Sequence, residues 1–471
     1  MRTPARLRAL GAGIAAGLLL AACTGGGSGA LPQPSSSGDG EIIVASGLDV
    51  TGSDGVRQQL IDAWNRTADG RRHPARLLEL PGGADDQRSQ LLGALQSGSA
   101  RYDVVNLDVT WVPEFAQAGL ITALDHQVDL GSDFIPSVAG TARWKGHTYA
   151  LPFNSDVGLL YYRSDYLHKA GIDEANYPSS TTTWRQLQSI VRELDAAASG
   201  GGLGPYQKGW TTQLAAYEGL TVNTVEAFAT AGVQLTDADG HLTANATRLR
   251  DGLEALRDRA GSEYTLHGAL SSDESQSLDD FAAGRTAFLR HWPYAYRLLP
   301  HTLPDGSWSV APLPGKAVLG GQDLAVAADS PRAAYALKLA QFLTDRGSER
   351  CLLDAGFAAT RVSAYKDATL SCPPAGSSPS PSPNASGGPG GSGGEVDRMP
   401  LDAQDRPRYA STTLLSALTS AVQRPRTPYY GAFTQALQSV VHGWLANPDP
   451  PDTDQVAAQL DTALRRALSG K

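Results

Sequence analysis

The chain has 471 residues, of which 41% are hydrophobic and 18% charged, and its net charge is −9. That length predicts one large bilobal domain or two to three domains, and the apolar content suits sizeable cores. An acidic chain without a long basic run excludes nucleic acid as its main partner.

The first segment reads as a targeting signal. Arg2, Arg6 and Arg8 form a basic start, and residues 9–22 are apolar or small throughout. This run is too short and too rich in Gly and Ala for a good membrane span. Its end, Leu20-Ala21-Ala22-Cys23, resembles the lipobox of bacterial lipoproteins. The resemblance implies that 1–22 is a signal peptide and that Cys23 becomes the lipidated first residue. Residues 23–40, rich in Gly, Ser and Pro, then form a flexible tether.

The folded body starts at 41–45, a short apolar run that predicts a buried parallel strand. A helix follows with Val56, Leu60, Ile61 and Trp64 on one face, and another covers 86–96. Residues 102–107 predict a second buried strand. A β-like run at 149–153 ends in Asn154, Ser155 and Asp156, a second apolar run covers 157–162, and a helix starts near Asp165. Polar groups at the junction of two buried strands mark a place where a ligand crevice forms. Thr183 predicts a helix cap, and Gly200 a stop. A helix at 277–283, a strand at 286–289 leading into Trp292, and helices at 332–344 and 456–468 complete the α/β pattern. The Pro/Ser/Gly tract at 373–395 reads as a disordered surface insertion. Cys351 and Cys372 are an even pair in an exported chain. A disulfide between them would contribute about 3 kcal/mol, two free thiols being the alternative.

Catalytic signals are weak. There is no HExxH, and the nine histidines lack metal-ligand spacing. Gly390-Gly391-Ser392-Gly393-Gly394 fits G-x-S-x-G only by letter, inside the low-complexity tract. Asp237-Ala238-Asp239-Gly240 lacks the remaining ligands of a calcium loop and reads as a hairpin turn. The carboxylate pairs Asp85/Asp86 and Asp279/Asp280 fit helix starts more simply than glycosidase chemistry. No enzyme, cofactor or metal is expected.

Carbohydrate binding needs aromatic faces for C–H surfaces and planar polar groups for hydroxyls. The chain sets such residues at the ends of elements: Asp108 and Trp111, Asp156, Trp292 and Tyr294, then Gly320, Gly321, Gln322 and Asp323, and finally Arg424. Structural alternatives stand beside these: a core aromatic for Trp292, helix caps for Asp108 and Asp156, a surface cation for Arg424.

Several segments resemble the solute-binding proteins of sugar ABC importers, in the trehalose/maltose-binding branch. They are YDVVNLDVTWVPEFAQAGLITALD from Tyr102, YALPFNSDVGLLYYRSDYL from Tyr149, YEGLTVN from Tyr217, GRTAFLRHWPYAY from Gly284, VAPLPG from Val310, LGGQDLAVA from Leu319 and RPRTPYY from Arg424. The resemblance implies two discontinuous α/β lobes, 41–152 with 306–352 and 153–305 with 353–471. The expected crossings lie near 151–153, near 305 and near 353. It implies a sugar held between the lobes by Arg88, Asp108, Asp156, Trp292, Gly320, Gly321 and Arg424, with Glu218 a further candidate. Asn154 stands where the branch has Tyr, and Gln322 where it has Trp, which predicts a more polar cleft for an oligosaccharide or disaccharide. The implied partners are a small carbohydrate, the membrane through Cys23, and permease subunits of an ABC importer, with the protein itself a monomer. The alternatives are a cell-envelope glycosidase, or a sensor binding another solute on the same fold.

Overall fold

The computed structural model describes residues 37–49, 55–98, 102–173, 178, 181–261, 263–372 and 399–470. The leader, Cys23, most of the tether and the 373–395 insertion lie outside the described residues. Among the described residues no helix is long and apolar enough to cross a membrane.

Eleven strands run along the chain: β1 (Ile42–Gly47), β2 (Ala75–Leu80), β3 (Val104–Asp108), β4 (Arg143–Trp144), β5 (His147–Thr148), β6 (Ala150–Val157), β7 (Leu159–Tyr162), β8 (Lys208–Thr211), β9 (Thr286–His291), β10 (Ser309–Pro312) and β11 (Leu319–Val326). They form a five-stranded sheet in the order β2-β1-β3-β11-β6, a four-stranded sheet β10-β7-β9-β8, and the small pair β4-β5. β1 lies parallel to β2 and β3, and β11 runs antiparallel to both β3 and β6. β1, most of β3, and β7 are apolar runs because helices cover the sheets, as in other α/β layers, whereas the edge strand β2 alternates toward solvent.

Each sheet has its own core. Ile42, Val104, Leu324 and Val326 pack against Leu60, Ile61 and Trp64 of the helix Val56–Arg66, and against Leu337 and Leu339 of the helix Ala333–Leu343. In the second sheet Leu160, Phe288 and Trp210 meet Leu187, Ile190, Val191 and Leu194. These four lie on one face of the helix Trp184–Ser199, which Thr183 and Gln186 start with a capping box. A third core straddles the junction, joining Val157 and Leu319 of the first sheet to Leu159, Tyr161 and Leu289 of the second.

The crossings differ from the expected positions. Residues 151–153 lie inside β6, which stays paired with β11 as far as Val157 and changes sheets only at Gly158. A Cβ at Gly158 would lie 2.2 Å from Glu226 Oε1, so the crossing needs glycine. Asn154, Ser155 and Asp156 are therefore strand residues, not a junction after a strand. The return falls later than 305, because β10 still pairs with β7 and the chain re-enters the first sheet at Leu319. Farther on, Cys351 and Leu352 pack in the first core while Leu353 and Ala358 belong to the junction core. The structure bonds Cys351 to Cys372.

Gly321 determines how β11 meets β6. Its φ is +101°, and a Cβ there would lie 2.3 Å from Asn154 O and 2.5 Å from Ser155 Cα. Replacing Gly321 with Ala imposes both a left-handed backbone penalty and a backbone clash, so stability falls by about 2 kcal/mol or more in urea denaturation. An unchanged midpoint would show that this strand pair is free to shift.

Candidate functional site

The register of the first sheet brings polar side chains into one row. Gln322 of β11 pairs with Asn154 of β6 on one side and Asp108 of β3 on the other, and Gly320 pairs with Asp156. Directly opposed residues share a sheet face. Gln322 Oε1 accepts from Asn106 Nδ2 at 2.7 Å and from Arg57 Nη2 at 2.8 Å. Arg57 also reaches Ser46 Oγ and Gly47 O, both at 3.0 Å, and Asn154 Oδ1 at 3.5 Å. The buried guanidinium thus orients both amides, Asn154 and Gln322. Burial, the main influence, lowers its pKa, against the opposing charges of Asp49, Asp156 and Glu79.

This row faces a cleft of about 740 Å³, whose opposite wall includes Tyr217, Glu218, Glu274, Trp292 and Tyr294. Trp292 is fixed from behind. Arg290 lies 3.8 Å from its ring centroid, and Trp292 Nε1 donates to Glu274 Oε1 at 3.2 Å. Arg290 is paired with Glu226 at 2.8 Å, each side chain being 1% exposed. Tyr217 donates its hydroxyl to the other oxygen of Glu274 at 2.7 Å. Gly320 lets the first sheet approach: a Cβ there would lie 3.1 Å from both Asp156 Cβ and the Trp292 ring.

Arg424 spans the cleft. Its Nη2 donates to both oxygens of Asp108, at 2.9 and 3.1 Å, and its Nη1 donates to Glu218 Oε1 at 2.7 Å. Asp108 ends β3 in the first sheet, whereas Glu218 opens the helix Glu218–Thr230 that follows β8 of the second. Tyr430 and Thr434 also donate to Glu218, at 2.5 and 2.8 Å. Val422, two residues before Arg424, exchanges backbone hydrogen bonds with Ala317 and Leu319 on the return crossing. One buried cation therefore connects the two sheets beside their hinge.

Nine of the ten expected ligand-binding positions line this cleft: Asp108, Asn154, Asp156, Glu218, Trp292, Gly320, Gly321, Gln322 and Arg424. Arg88 does not. Its guanidinium is bonded to Glu114 at 2.5 and 2.7 Å and packs against Gly431. On the helix Ala84–Ser97 it is Ala84 and Gln87 that line the cleft, and one residue further rotates the side chain about 100° away. Tyr294, set beside Trp292 in the sequence, also lines the cleft, and residues not expected from sequence include Arg57, Gln87, Tyr217, Glu274 and Phe357. A cation in the first turn of a helix opposes the helix dipole, and that was the readable sign for Arg57. Glu274, by contrast, looks like any acidic helix start. A second cavity of about 530 Å³, lined by 232–238 and 422–426, shares only Arg424 with the cleft. Asp237, Asp239 and His241 bring ligand atoms within 4.8 Å of one another, but Asp237 Oδ1 already accepts the N–H groups of Asp239 and His241 in a hairpin turn.

Residues 79–349 match the family of bacterial extracellular solute-binding proteins. The chain belongs to that family. A probable ABC transporter-binding protein of Deinococcus radiodurans is 28% identical over 324 residues, which cover 65% of this chain and 73% of that protein. The maltose-bound MalE3 of T. maritima superposes with a TM-score of 0.72 at 23% identity, covering 91% of this chain and 100% of that one. UgpB of Mycobacterium tuberculosis, solved with glycerophosphocholine, gives 0.68 at 18% identity, covering 92% and 99%. These likenesses place the two sheets in the bilobal fold of ABC-importer binding proteins. The solute-binding family also puts the protein outside the cytoplasm.

Two predictions follow from the charges. Replacing Arg424 with Gln leaves Asp108 and Glu218 facing each other without their cation. Stability then falls by about 3 kcal/mol, and the radius of gyration from small-angle scattering rises as the lobes part. An unchanged radius would mean that the bridge does not hold them. The second concerns Asp156 and Asp323, both pushed from the ordinary 3.8 up to about 7. Burial is the main cause, offset by Arg57 and Arg290 for Asp156 and by the Thr141 hydroxyl for Asp323. The folded chain holds protons there that the unfolded chain has released, so stability falls as pH rises from about 4 to about 7. Thermal melts across that window should show this slope, and Asp323→Asn should flatten it.

Proposed function

We propose that this solute-binding protein captures a disaccharide or short oligosaccharide, an α-glucoside such as trehalose or maltose being one candidate, and delivers it to the permease of an ABC importer. One observation carries the reading: a row of planar polar groups, Asp108, Gln322 and Asn154, faces an indole stiffened by Arg290. The row suits hydroxyls and the indole suits the C–H face of a sugar ring. Gln322 Oε1 is already engaged by two donors, so it meets a ligand through its N–H groups. The sugars bound by related proteins, maltose in MalE3 among them, support the reading. Ligand contacts made to both walls favour the closed arrangement, and that is the shape offered to the permease. The chain acts by binding without turnover, as a monomer.

Calorimetry against a disaccharide panel tests the reading. At least one member binds, and Trp292→Ala weakens that binding by several-fold or more, about 1 kcal/mol. Full wild-type affinity in the variant would refute the wall assignment, and hydrolysis of the bound sugar would favour a glycosidase.

We also propose a lipid anchor at Cys23, on the strength of Leu20-Ala21-Ala22-Cys23 directly after the apolar leader segment. Two or more acyl chains hold a protein stably at a membrane. Metabolic labelling with palmitate marks the wild-type chain and not Cys23→Ala; equal labelling of both would sink the anchor.

A further inference from the structure

Acidic side chains outnumber basic ones in the cleft. Asp108, Asp156, Glu218, Asp273 and Glu274 line it, against only Arg57 and Arg424 as cationic lining residues. Asp108 and Glu218 share the single charge of Arg424. Arg57 directs its Nη groups to neutral acceptors: Ser46 Oγ, Gly47 O, Gln322 Oε1 and Asn154 Oδ1. Glu274 is held by the neutral Tyr217 hydroxyl and Trp292 Nε1, and Asp273 caps its helix through the Gln276 N–H. Such bonds orient a carboxylate without cancelling its charge.

Asp156 differs from the other four. Its Oδ1 is buried and, among the described residues, has no hydrogen-bond partner. It sits beside the Trp292 ring across Gly320. The charged groups that act on it are Arg57, Arg290, Arg424 and Asp108, and no donor is supplied to that oxygen from within the site. An unsatisfied buried oxygen in a ligand cleft calls for a partner on the ligand, and an ammonium there would draw off the proton that burial keeps on Asp156 and bond the resulting carboxylate.

We propose that the ligand is a polyhydroxylated molecule carrying a protonated nitrogen, an amino sugar or aminocyclitol, with its ammonium group against Asp156 at the edge of Trp292. The assignment rests on the carbohydrate reading of the same cleft. The ammonium gives Asp156 Oδ1 its donor and offsets part of the acidic excess, while the ring hydroxyls meet the Asn154 and Gln322 amides. A phosphate-bearing solute would face the same carboxylates with the wrong sign.

Calorimetry with the full chain separates the two layers of the argument. The probes are matched sets: glucose, glucosamine and N-acetylglucosamine; galactose, galactosamine and N-acetylgalactosamine; and cellobiose, the β-1,4 glucosamine dimer and chitobiose. In at least one set the free amine binds about tenfold or more tighter than both neutral members, a difference of about 1.4 kcal/mol. Asp156→Asn removes that preference. Neutral members binding as tightly as the amine in every set that binds would overturn the ammonium assignment and leave the carbohydrate reading standing. So would an Asp156→Asn chain that keeps the preference. Should that variant fail to fold, the wild-type comparison of each amine with its N-acetyl form decides the matter alone. No binding by any probe, with the circular dichroism of a folded chain, would overturn the ammonium assignment, and the carbohydrate reading would fall with it only if the disaccharide panel also failed to bind.

Discussion

The architecture of the cleft depends on one cation placed where both lobes need it. Arg424 contacts Asp108 at the end of a first-sheet strand and Glu218 at the start of a second-lobe helix. All three groups are largely withdrawn from water, and the Arg424 side chain is 2% exposed. A buried ion pair of this kind contributes little net stability against an apolar replacement, yet removing one partner is costly. Its effect is therefore on geometry: the two walls are brought to a set separation beside the crossings between the two sheets.

The aromatic wall follows the same logic of support from behind. Trp292 is held by Arg290 under its ring and by Glu274 at its nitrogen, and Arg290 in turn by Glu226. The polar wall is oriented by Arg57, which holds Gln322 and Asn154. Each wall of the cleft is thus held by a buried guanidinium, which lowers the ordering cost of any binding there. The two amides of the polar wall have a shared cationic anchor.

Much of this was legible in the sequence, for local reasons. Apolar runs and helical periodicity mark β1, β3, β9 and the helix Trp184–Ser199, because burial of a strand or a helix face follows the residues of that segment. Nine of the ten expected positions line the cleft because their segments run along it, Asp108 at the end of β3 and Asn154, Asp156, Gly320, Gly321 and Gln322 within β6 and β11. Arg88 was misplaced because motif matching does not resolve the 100° step between neighbouring helix positions. The crossing that the resemblance implied near 151–153 lies farther on, because the polar triplet after them continues the strand. In the structure its backbone stays bonded to β11.

By itself, then, the sequence determined the α/β class, the family, and which segments carry polar and aromatic side chains to the crevice. Tertiary structure alone decided which of those groups meet. The register of β11 between β3 and β6 sets Asp108, Gln322 and Asn154 in one row. The hinge places Arg424 on carboxylates 206 and 316 residues away in sequence. The physical reason is one of range. Burial pattern is written within each segment, whereas a hydrogen bond or an ion pair exists only once distant segments have been packed to within about 3 Å of each other.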